Sequence, residues 1–310
     1  MRILVTGSRG FAGKHLVNLL KKNKNEVFGI DIFPASNEPS ELKVDLRDSQ
    51  SVSEAVTQTA PDVIYHLAGI AFVPDALTHP STLFDVHIQG TLHLLEACLH
   101  LPSLPRFIFI SSAEVYGIAK EQELPFKENS DLRPSNLYAL SKLMGEQLVQ
   151  YYGNVHGIRW VVFRPFTHIG PGQSPTFAAS GFARQLSRIA LDKAPPVLFV
   201  GNLATKRDIT DVRDIVSGYA SVLSIASFPS GKIFNLCSGH TVSIGELSEK
   251  LIRISGFETE IKIDPSRLRK TDVPITSGSF KKAELELEWR PTIPLDQTLK
   301  DLYQYWISTQ

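Results

Sequence analysis

Short apolar runs alternate with longer amphipathic stretches through the first half of this chain, and that alternation restricts the fold more than any other feature. Continuous apolar runs are typical of strands buried on both faces, and helix-length stretches between them indicate crossover connections. Right-handed crossovers place helices on both faces of one sheet. The sequence therefore predicts an α/β fold with a doubly wound parallel sheet, whose strands are Arg2–Thr6, Glu26–Asp31, Val63–Leu67, Arg106–Ser111 and Ile158–Arg164.

The stretches between these runs have the apolar spacing of helices that bury one face. They are Lys14–Lys22, Ser49–Gln58, Pro80–Leu99 and Tyr138–Tyr152. After Arg164 prolines and glycines interrupt the pattern, and the later predicted elements are helices at Phe177–Asp192, Ile209–Ile225, Ile244–Ser255 and Ser279–Leu285 and a buried strand at Lys232–Leu236. With 310 residues, two domains are expected. We expect the first over 1–165, joined again by about 208–238, and a smaller C-terminal one from 166–207 and 239–310.

Composition disfavours several classes of protein. The 32 basic residues equal the 32 acidic ones, so there is no net attraction to nucleic acid or to an anionic membrane. Two cysteines, Cys98 and Cys237, are too few for a disulfide framework, and no apolar run is long enough for a signal peptide or a spanning helix. The histidines lack ligand spacing, so no metal is expected. We expect a cytoplasmic protein without nucleic-acid or membrane partners.

A glycine-rich turn follows the first predicted strand. Gly7, Gly10 and Gly13 have the spacing G-x-x-G-x-x-G and open a helix. One such glycine permits a tight turn, one lets backbone approach a pyrophosphate, and one lets the helix pack on the strand. Asp31 ends the second strand, where a carboxylate accepts hydrogen bonds from an adenosine ribose and repels a 2′-phosphate. The pattern predicts a dinucleotide site that favours NAD(H), with NADP(H) possible.

A second constellation joins a phenol, an ammonium group and a hydroxyl. Tyr138 and Lys142 are four residues apart, one helical turn, on the same face. A neighbouring positive charge lowers the pKa of a tyrosine and makes it usable as an acid or base. Ser112 follows the fourth predicted strand, at the sheet edge where ligands bind, so its hydroxyl could contact a reacting oxygen.

Together these motifs resemble the extended short-chain dehydrogenase/reductase family of nucleotide-sugar epimerases, dehydratases and reductases. The resemblance covers essentially the whole chain and includes His66-Leu-Ala-Gly69 and Ser112-Ala-Glu114-Val-Tyr-Gly117. It implies an NAD(P)-binding Rossmann domain followed by a nucleotide-sugar-binding domain. It further implies that Ser112 orients a sugar oxygen, that Tyr138 exchanges a proton, and that Lys142 binds the nicotinamide ribose and lowers the Tyr138 pKa. The remaining cofactor contacts that it implies are Phe11, Ala12, Ile32, Asp45, Leu46, Leu67, Ala68, Gly69 and Pro165.

Within that family, the second half of the chain is most similar to the GDP-6-deoxy-D-mannose reductases. The similarity lies in 163–174, 201–214 and 269–274. It implies reduction of the 4-keto group of GDP-4-dehydro-6-deoxy-D-mannose to GDP-D-rhamnose, with Tyr138 as the proton donor. Two positions depart from the pattern: Thr167 stands where Asn is usual, and Lys270 replaces a proline. The implied substrate contacts are Ser112, Glu114, Thr167, His168, Gln173, Arg207 and Arg269.

Other functions remain open on the sequence. Glu114 lies two residues after Ser112, where the 4,6-dehydratases of the family carry a base, so a dehydratase using bound NAD is the first alternative and a 4-epimerase the second. A non-catalytic dinucleotide-binding regulator is the third, because a fold does not fix a function; regulators of that kind tend to lack the tyrosine and lysine retained here. The resemblance also implies a homodimer built from the helices at Pro80–Leu99 and Tyr138–Tyr152.

Overall fold

Seven parallel strands form the central sheet, as the alternation of apolar runs and helices predicts. The computed structural model describes residues 1–33, 38–71, 78–268 and 273–309. The strands of the sheet are β1 (Arg2–Thr6), β2 (Glu26–Asp31), β3 (Glu41–Lys43), β4 (Val63–His66), β5 (Arg106–Ile110), β6 (Trp160–Pro165) and β10 (Lys232–Leu236). Their order is β10-β6-β5-β4-β1-β2-β3, with every neighbouring pair parallel. The order runs outward in both directions from β1, so the doubly wound α/β fold is confirmed.

Helices cover both faces of this sheet. On one face α1 (Phe11–Lys22), α7 (Val212–Ser221) and α9 (Lys281–Leu287) contribute buried side chains to one apolar cluster with the strands. On the other face α2 (Ser49–Thr59), α4 (Gly90–Leu99) and α5 (Leu137–His156) form a second cluster. Because both faces are covered, the strands are mainly apolar, and β4 and β6 are buried at every residue, including His66 and Arg164.

The predicted helix at Pro80–Leu99 is not uniform. It consists of α3 (Pro80–Phe84), a π-helical turn over Asp85–Gln89, and α4. A π turn inserts an extra residue and changes the direction in which the side chains point, and such turns are frequent at functional sites. Here it directs His87 into the interior, where 3% of the residue is exposed.

The second half of the chain builds two smaller sheets beside the carboxyl ends of the central strands. β9 (Lys206–Asp211) pairs with β7 (Thr167–Ile169), β11 (Thr241–Ser243) and β13 (Ile275–Thr276), while β8 (Val197–Val200) pairs with β12 (Glu260–Ile263). α6 (Ala178–Ala190), α8 (Ile244–Ser255) and α10 (Leu295–Thr309) pack against these strands in a separate apolar cluster. Over the described parts of the chain, none of the helices combines the length and apolarity that a membrane crossing requires.

The predicted helix at Ile209–Ile225 is wrong at its first turn. Residues up to Asp211 belong to β9, and α7 begins at Val212. The reason is an N-cap: the Asp211 carboxylate accepts a hydrogen bond from the Arg213 N–H at 2.7 Å. The residues before the cap belong to β9, in which Ile209 is the one apolar residue.

A buried ion pair connects β6 to α5. The Arg164 guanidinium donates to both Glu146 carboxylate oxygens, from Nε at 2.9 Å and from Nη2 at 2.6 Å, and both side chains are almost fully buried. Ser111 Oγ, at the end of β5, donates to the same carboxylate at 2.5 Å. The third guanidinium nitrogen, Nη1, donates to the Tyr116 hydroxyl at 3.1 Å. The pair therefore fixes α5 against the ends of two central strands.

Removing one partner of this pair should destabilise the protein strongly. In Glu146→Leu the guanidinium stays buried without a counter-charge, so the free energy of unfolding in urea should fall by about 3–5 kcal/mol. The double variant Glu146→Leu/Arg164→Met should recover part of that loss. As a control, Glu286→Gln breaks the exposed pair with Lys232 and should change the free energy by less than about 1 kcal/mol. Equal losses in Glu146→Leu and Glu286→Gln would contradict this account.

Candidate active site

A cleft of about 1630 Å³ runs along the carboxyl ends of the central strands and between the two halves of the chain. Ligands of open α/β sheets bind at this edge. The cleft is lined by every described residue that the sequence analysis named for catalysis or binding. Arg269 lies outside the described residues. The lining residues that were predicted are Gly7, Gly10, Phe11, Ala12, Gly13, Asp31, Ile32, Asp45, Leu46, Leu67, Ala68, Gly69, Ser112, Glu114, Tyr138, Lys142, Pro165, Thr167, His168, Gln173 and Arg207.

The glycine turn has the shape of an anion cradle. Gly7 has a φ of +67°, which an L side chain rarely adopts, and a Cβ there would lie 2.9 Å from the Ala68 backbone. A Cβ on Gly13 would overlap the Gly7 carbonyl oxygen, so α1 packs directly on the turn. Gly10 is the N-cap and has open space in front of it apart from the Gly7 oxygen at 3.1 Å. Backbone N–H groups at the start of α1 therefore face the cleft, an arrangement that fits a dinucleotide diphosphate.

Two carboxylates lie further along the same end of the cleft. Asp31 accepts hydrogen bonds from the Arg9 N–H at 3.1 Å and the Phe33 N–H at 3.0 Å, so the carboxylate is held beside the glycine turn. Asp45 is paired with Arg47, and hydrogen bonds from that guanidinium hold the Asp45 pKa below its usual value. Both carboxylates line the cleft and can accept hydrogen bonds from a ribose or a base.

At the other end of the cleft, α5 presents Tyr138 and Lys142 beside Ser112. Asn136 caps the helix, accepting a hydrogen bond from the Ala139 N–H at 2.8 Å. Ser112 Oγ accepts a hydrogen bond from the Glu114 N–H at 3.1 Å, so its own proton is available to a neighbouring oxygen. The phenol, the ammonium group and the hydroxyl all line the same part of the cleft.

The pKa of Tyr138 departs from the expectation. Burial raises it to about 12; a hydrogen bond from Ser112 opposes the rise, and the Glu114 charge adds to it. The family resemblance implies instead a pKa lowered by Lys142. Desolvation is the largest cause of the shift, and the Lys142 ammonium donates to the Ile110 carbonyl at 2.9 Å. Tyr138 is therefore a protonated phenol at neutral pH.

Lys142 is almost fully buried, and its surroundings reduce its basicity. Burial lowers its pKa from 10.5 to about 8, although the Glu146 carboxylate one helical turn away acts in the opposite direction. The ammonium nitrogen lies 5.4 Å from the centre of the Phe109 ring, a favourable cation–π distance. The side chain is positively charged at pH 7 but loses that charge just above the physiological range.

His87, which the sequence analysis did not assign to the site, supports Tyr138 from behind. The Ile70 N–H donates to His87 Nε2 at 2.8 Å, so Nδ1 carries the ring proton and donates to Ser141 Oγ at 2.8 Å. Ser141 in turn donates to the Tyr138 carbonyl at 2.8 Å. Burial lowers the His87 pKa to about 2, which keeps the ring neutral. A Cβ on Gly69 would come within 2.7 Å of this ring, so that glycine is required for the contact.

Glu114 is held in the cleft by the helix cap. Asn136 Nδ2 donates to Glu114 Oε2 at 3.3 Å while its Oδ1 caps α5. The carboxylate is half-buried and close enough to Tyr138 to influence its pKa. Asn136 thus sets the position of the phenol and of the carboxylate together.

The second half of the chain contributes the opposite wall. His168 Nδ1 donates to the Phe166 carbonyl at 3.0 Å, and its ring is stacked on Phe11 at 5.9 Å. Gln173 donates from Nε2 to the His168 carbonyl at 2.9 Å, while its buried Oε1 has no hydrogen-bond partner among the described residues. Arg207 donates from Nη1 to the Val273 carbonyl at 2.7 Å. Thr167 is exposed on the same wall.

Three residues near the site were missed by sequence reasoning. The Asn136 cap could have been found, because an asparagine before a helical run is a start signal. His87 and Tyr219 had no such signal, since their placement depends on the π turn and on the packing of α7 under the sheet.

The sequence of the chain is similar to those of known nucleotide-sugar enzymes. The profile of the family described as GDP-mannose 4,6 dehydratase matches residues 4–302. The chain is 36% identical to a GDP-6-deoxy-D-mannose reductase of Pseudomonas aeruginosa over 99% of its own length and 97% of that protein. It is 32% identical to a GDP-6-deoxy-D-talose 4-dehydrogenase of Aggregatibacter actinomycetemcomitans, covering 91% of this chain and 90% of the relative.

A solved structure has the same fold as this chain over its full length. RMD from Pseudomonas aeruginosa complexed with NADPH superposes with a TM-score of 0.89 at 33% identity, and each chain is covered completely. The resemblance to nucleotide-sugar epimerases, dehydratases and reductases is thereby confirmed. The chain belongs to the GDP-mannose 4,6-dehydratase family of NAD(P)-dependent nucleotide-sugar enzymes.

Proposed function

We propose that this protein reduces the 4-keto group of GDP-4-dehydro-6-deoxy-D-mannose to give GDP-D-rhamnose, using NAD(P)H. The observation that carries the proposal is the protonated phenol of Tyr138 beside Ser112 and Lys142, in a cleft whose far end is a glycine turn. A residue that gives a proton to a carbonyl oxygen must hold that proton at neutral pH. The 36% identity to a GDP-6-deoxy-D-mannose reductase supports the choice of substrate.

In this mechanism the bound cofactor supplies hydride, and the residues of the chain handle the oxygen. The Tyr138 O–H gives its proton to the sugar oxygen at C4. The Ser112 O–H donates a hydrogen bond to the same oxygen as negative charge develops on it. The Lys142 ammonium, held on the Ile110 carbonyl, supplies a positive charge on this side of the cleft, which would stabilise the phenolate left after the proton is given up. The Glu114 N–H fixes the Ser112 oxygen, so the hydroxyl is oriented before substrate binds.

The opposite end of the cleft supports the cofactor assignment. N–H groups at the start of α1 would hold the diphosphate, and Asp31 would accept hydrogen bonds from the adenosine ribose. A carboxylate at that position favours NADH over NADPH by repelling a 2′-phosphate. On the sugar side, Thr167, His168, Gln173 and Arg207 are the proposed substrate contacts. The family resemblance adds Arg269, which lies outside the described residues. The unpartnered Gln173 Oε1 supports this, because a buried acceptor is satisfied by a hydroxyl of a bound sugar.

The phenol can be tested directly. Purified protein should oxidise NADH or NADPH when GDP-4-dehydro-6-deoxy-D-mannose is added, measured as the loss of nicotinamide absorbance. Tyr138→Phe should lower kcat by about 10²–10⁴-fold, the range of general acid catalysis, while the affinity for the reduced cofactor stays within two-fold. Tyr151→Phe on the exposed part of the same helix is the matched control and should retain full activity. Turnover in Tyr138→Phe at the wild-type rate would refute the proposed role.

The pH dependence follows from Lys142. Its lowered pKa of about 8 means that the ammonium is charged below pH 8 and loses its charge as the pH rises through that value. We expect kcat/KM for the reduction to fall above about pH 8, while Tyr138 stays protonated throughout this range. In Lys142→Arg the charge persists to above pH 12, so the residual activity should lack the decline. If kcat/KM of Lys142→Arg also falls above about pH 8, the decline arises from a group other than Lys142.

The dehydratase alternative rests on one observation, the Glu114 carboxylate held beside Tyr138 by Asn136. A dehydratase would recycle bound NAD and would convert GDP-mannose without consuming added NADH or NADPH. Incubation of the protein with GDP-mannose and no reduced cofactor separates the two functions. The reductase proposal predicts that the sugar is recovered unchanged.

We also propose a homodimer formed through α5. Leu140, Met144, Tyr151 and Val155 are 37%, 39%, 56% and 56% exposed, and their spacing puts them on one face of the helix. Such an apolar stripe is typical of a surface that is covered by a partner, and two-fold pairing of the same face would cover it.

Light scattering tests the dimer. The wild-type protein should have twice the mass of the 34.4 kDa chain. Met144→Glu/Tyr151→Glu should be a monomer, because charges in the stripe would be buried on pairing. Leu285→Glu, at an 82% exposed leucine of α9, should remain a dimer. A monomeric wild-type protein would contradict the proposal.

A further inference from the structure

The Tyr219 hydroxyl is a buried polar group that has no role in the packing or the mechanism described above. Tyr219 is 0% exposed on α7, yet its side chain lines the cleft. Its hydroxyl has no hydrogen-bond partner among the described residues. A buried hydroxyl without a partner costs free energy, and nearly all such groups in native proteins are satisfied. A hydroxyl in this position is best explained by a group that a ligand brings.

The surroundings of Tyr219 hold it in one place. Its ring lies 5.3 Å from the ring of Phe163, two residues before Pro165 in β6. Its carbonyl accepts a hydrogen bond from the Tyr65 hydroxyl at 3.0 Å, which ties α7 to β4. It shares an apolar cluster with Ile110, the last residue of β5. The hydroxyl therefore lies beneath the ends of the central strands.

The position of Tyr219 in the cleft indicates which part of a ligand it meets. Burial raises the Tyr219 pKa well above its usual value, and Tyr138 is near enough to add to the rise. Tyr219 is accordingly a neutral donor on the side of the cleft that holds Tyr138. The glycine turn and Asp31 lie at the other end, where the diphosphate and the adenosine are proposed to bind. Ile110 lines the cleft and belongs to the same apolar cluster as Tyr219, so this part of the cleft floor is apolar.

We propose that Tyr219 donates a hydrogen bond to the carboxamide of the bound nicotinamide and so fixes the rotation of the nicotinamide ring. The carboxamide is the polar group of a nicotinamide, and it would lie against an otherwise apolar floor. Its oxygen can accept a hydrogen bond from the Tyr219 hydroxyl. This inference rests on the proposed function only for the identity of the cofactor. It does not depend on which sugar is reduced.

Tyr219→Phe tests the inference because it removes one oxygen atom and keeps the ring. Dissociation constants should be measured for NADH, NADPH and ADP-ribose, which lacks nicotinamide. The variant should bind NADH and NADPH about 5- to 10-fold more weakly, the factor expected for one hydrogen bond, and ADP-ribose within two-fold of wild type. Its midpoint of unfolding in urea without cofactor should equal or exceed that of wild type, because an unpartnered buried hydroxyl is removed.

Tyr65→Phe is the matched control, since it removes a buried hydroxyl that has a partner. It should lower the urea midpoint and leave the ratio of NADH to ADP-ribose affinity unchanged. Unchanged binding of NADH and NADPH in Tyr219→Phe would overturn the inference, and so would equal weakening of the dinucleotides and ADP-ribose. Failure of the wild-type protein to bind either dinucleotide would instead refute the cofactor of the proposed function, and this inference with it.

Discussion

The buried Arg164–Glu146 pair is the interaction on which the geometry of the cleft depends. It joins β6 to α5 and, through Ser111 and Tyr116, to the end of β5 and the turn that follows. Two charges are stable in such a place only with their hydrogen bonds satisfied, so the distances between these elements are fixed. Glu146 is four residues after Lys142, and Lys142 is four after Tyr138. The turn of helix held by the ion pair is therefore the one that aims the ammonium group and the phenol.

Burial determines the protonation states around that helix. His66 and His87 both lie behind the cleft, and burial lowers their pKa values to about 3 and about 2. Both rings are thus neutral connectors: His66 links Thr6 to Thr91, and His87 links Ile70 to Ser141. The same low polarity keeps Tyr138 protonated and makes Lys142 a weak base. A site of this kind is prepared to give a proton to an oxygen, in keeping with a carbonyl reductase.

Much of the fold and of the candidate site could be predicted from sequence, for physical reasons. Buried parallel strands leave continuous apolar runs, so β1 and β2 were predicted at their observed bounds. The ends of such strands lie along one edge of the sheet, and the cleft at that edge is lined by both Ser112 and the glycine turn. The small sheets were missed because β7, β11 and β13, with two or three residues each, carry no periodic signal, and the six residues of β9 include one apolar side chain. The predicted start of α7 at Ile209 was wrong, because the Asp211 N-cap and not the apolar spacing determines where the helix begins. The direction of the Tyr138 pKa shift could not be predicted, because it depends on burial. The four-residue spacing of Tyr138 and Lys142 gives no information on burial.

The measurement that tests the central claim most directly is the fate of the transferred hydrogen. The protein would be given GDP-4-dehydro-6-deoxy-D-mannose with NADH or NADPH deuterated at the transferable C4 position, and the product examined by NMR. The reductase proposal predicts one deuterium at C4 of the sugar for every cofactor molecule oxidised. In Tyr138→Phe the rate of deuterium incorporation should fall by the same factor as the rate of cofactor oxidation. A product without deuterium and an unconsumed cofactor would contradict the account and indicate a dehydratase or epimerase that returns its hydride.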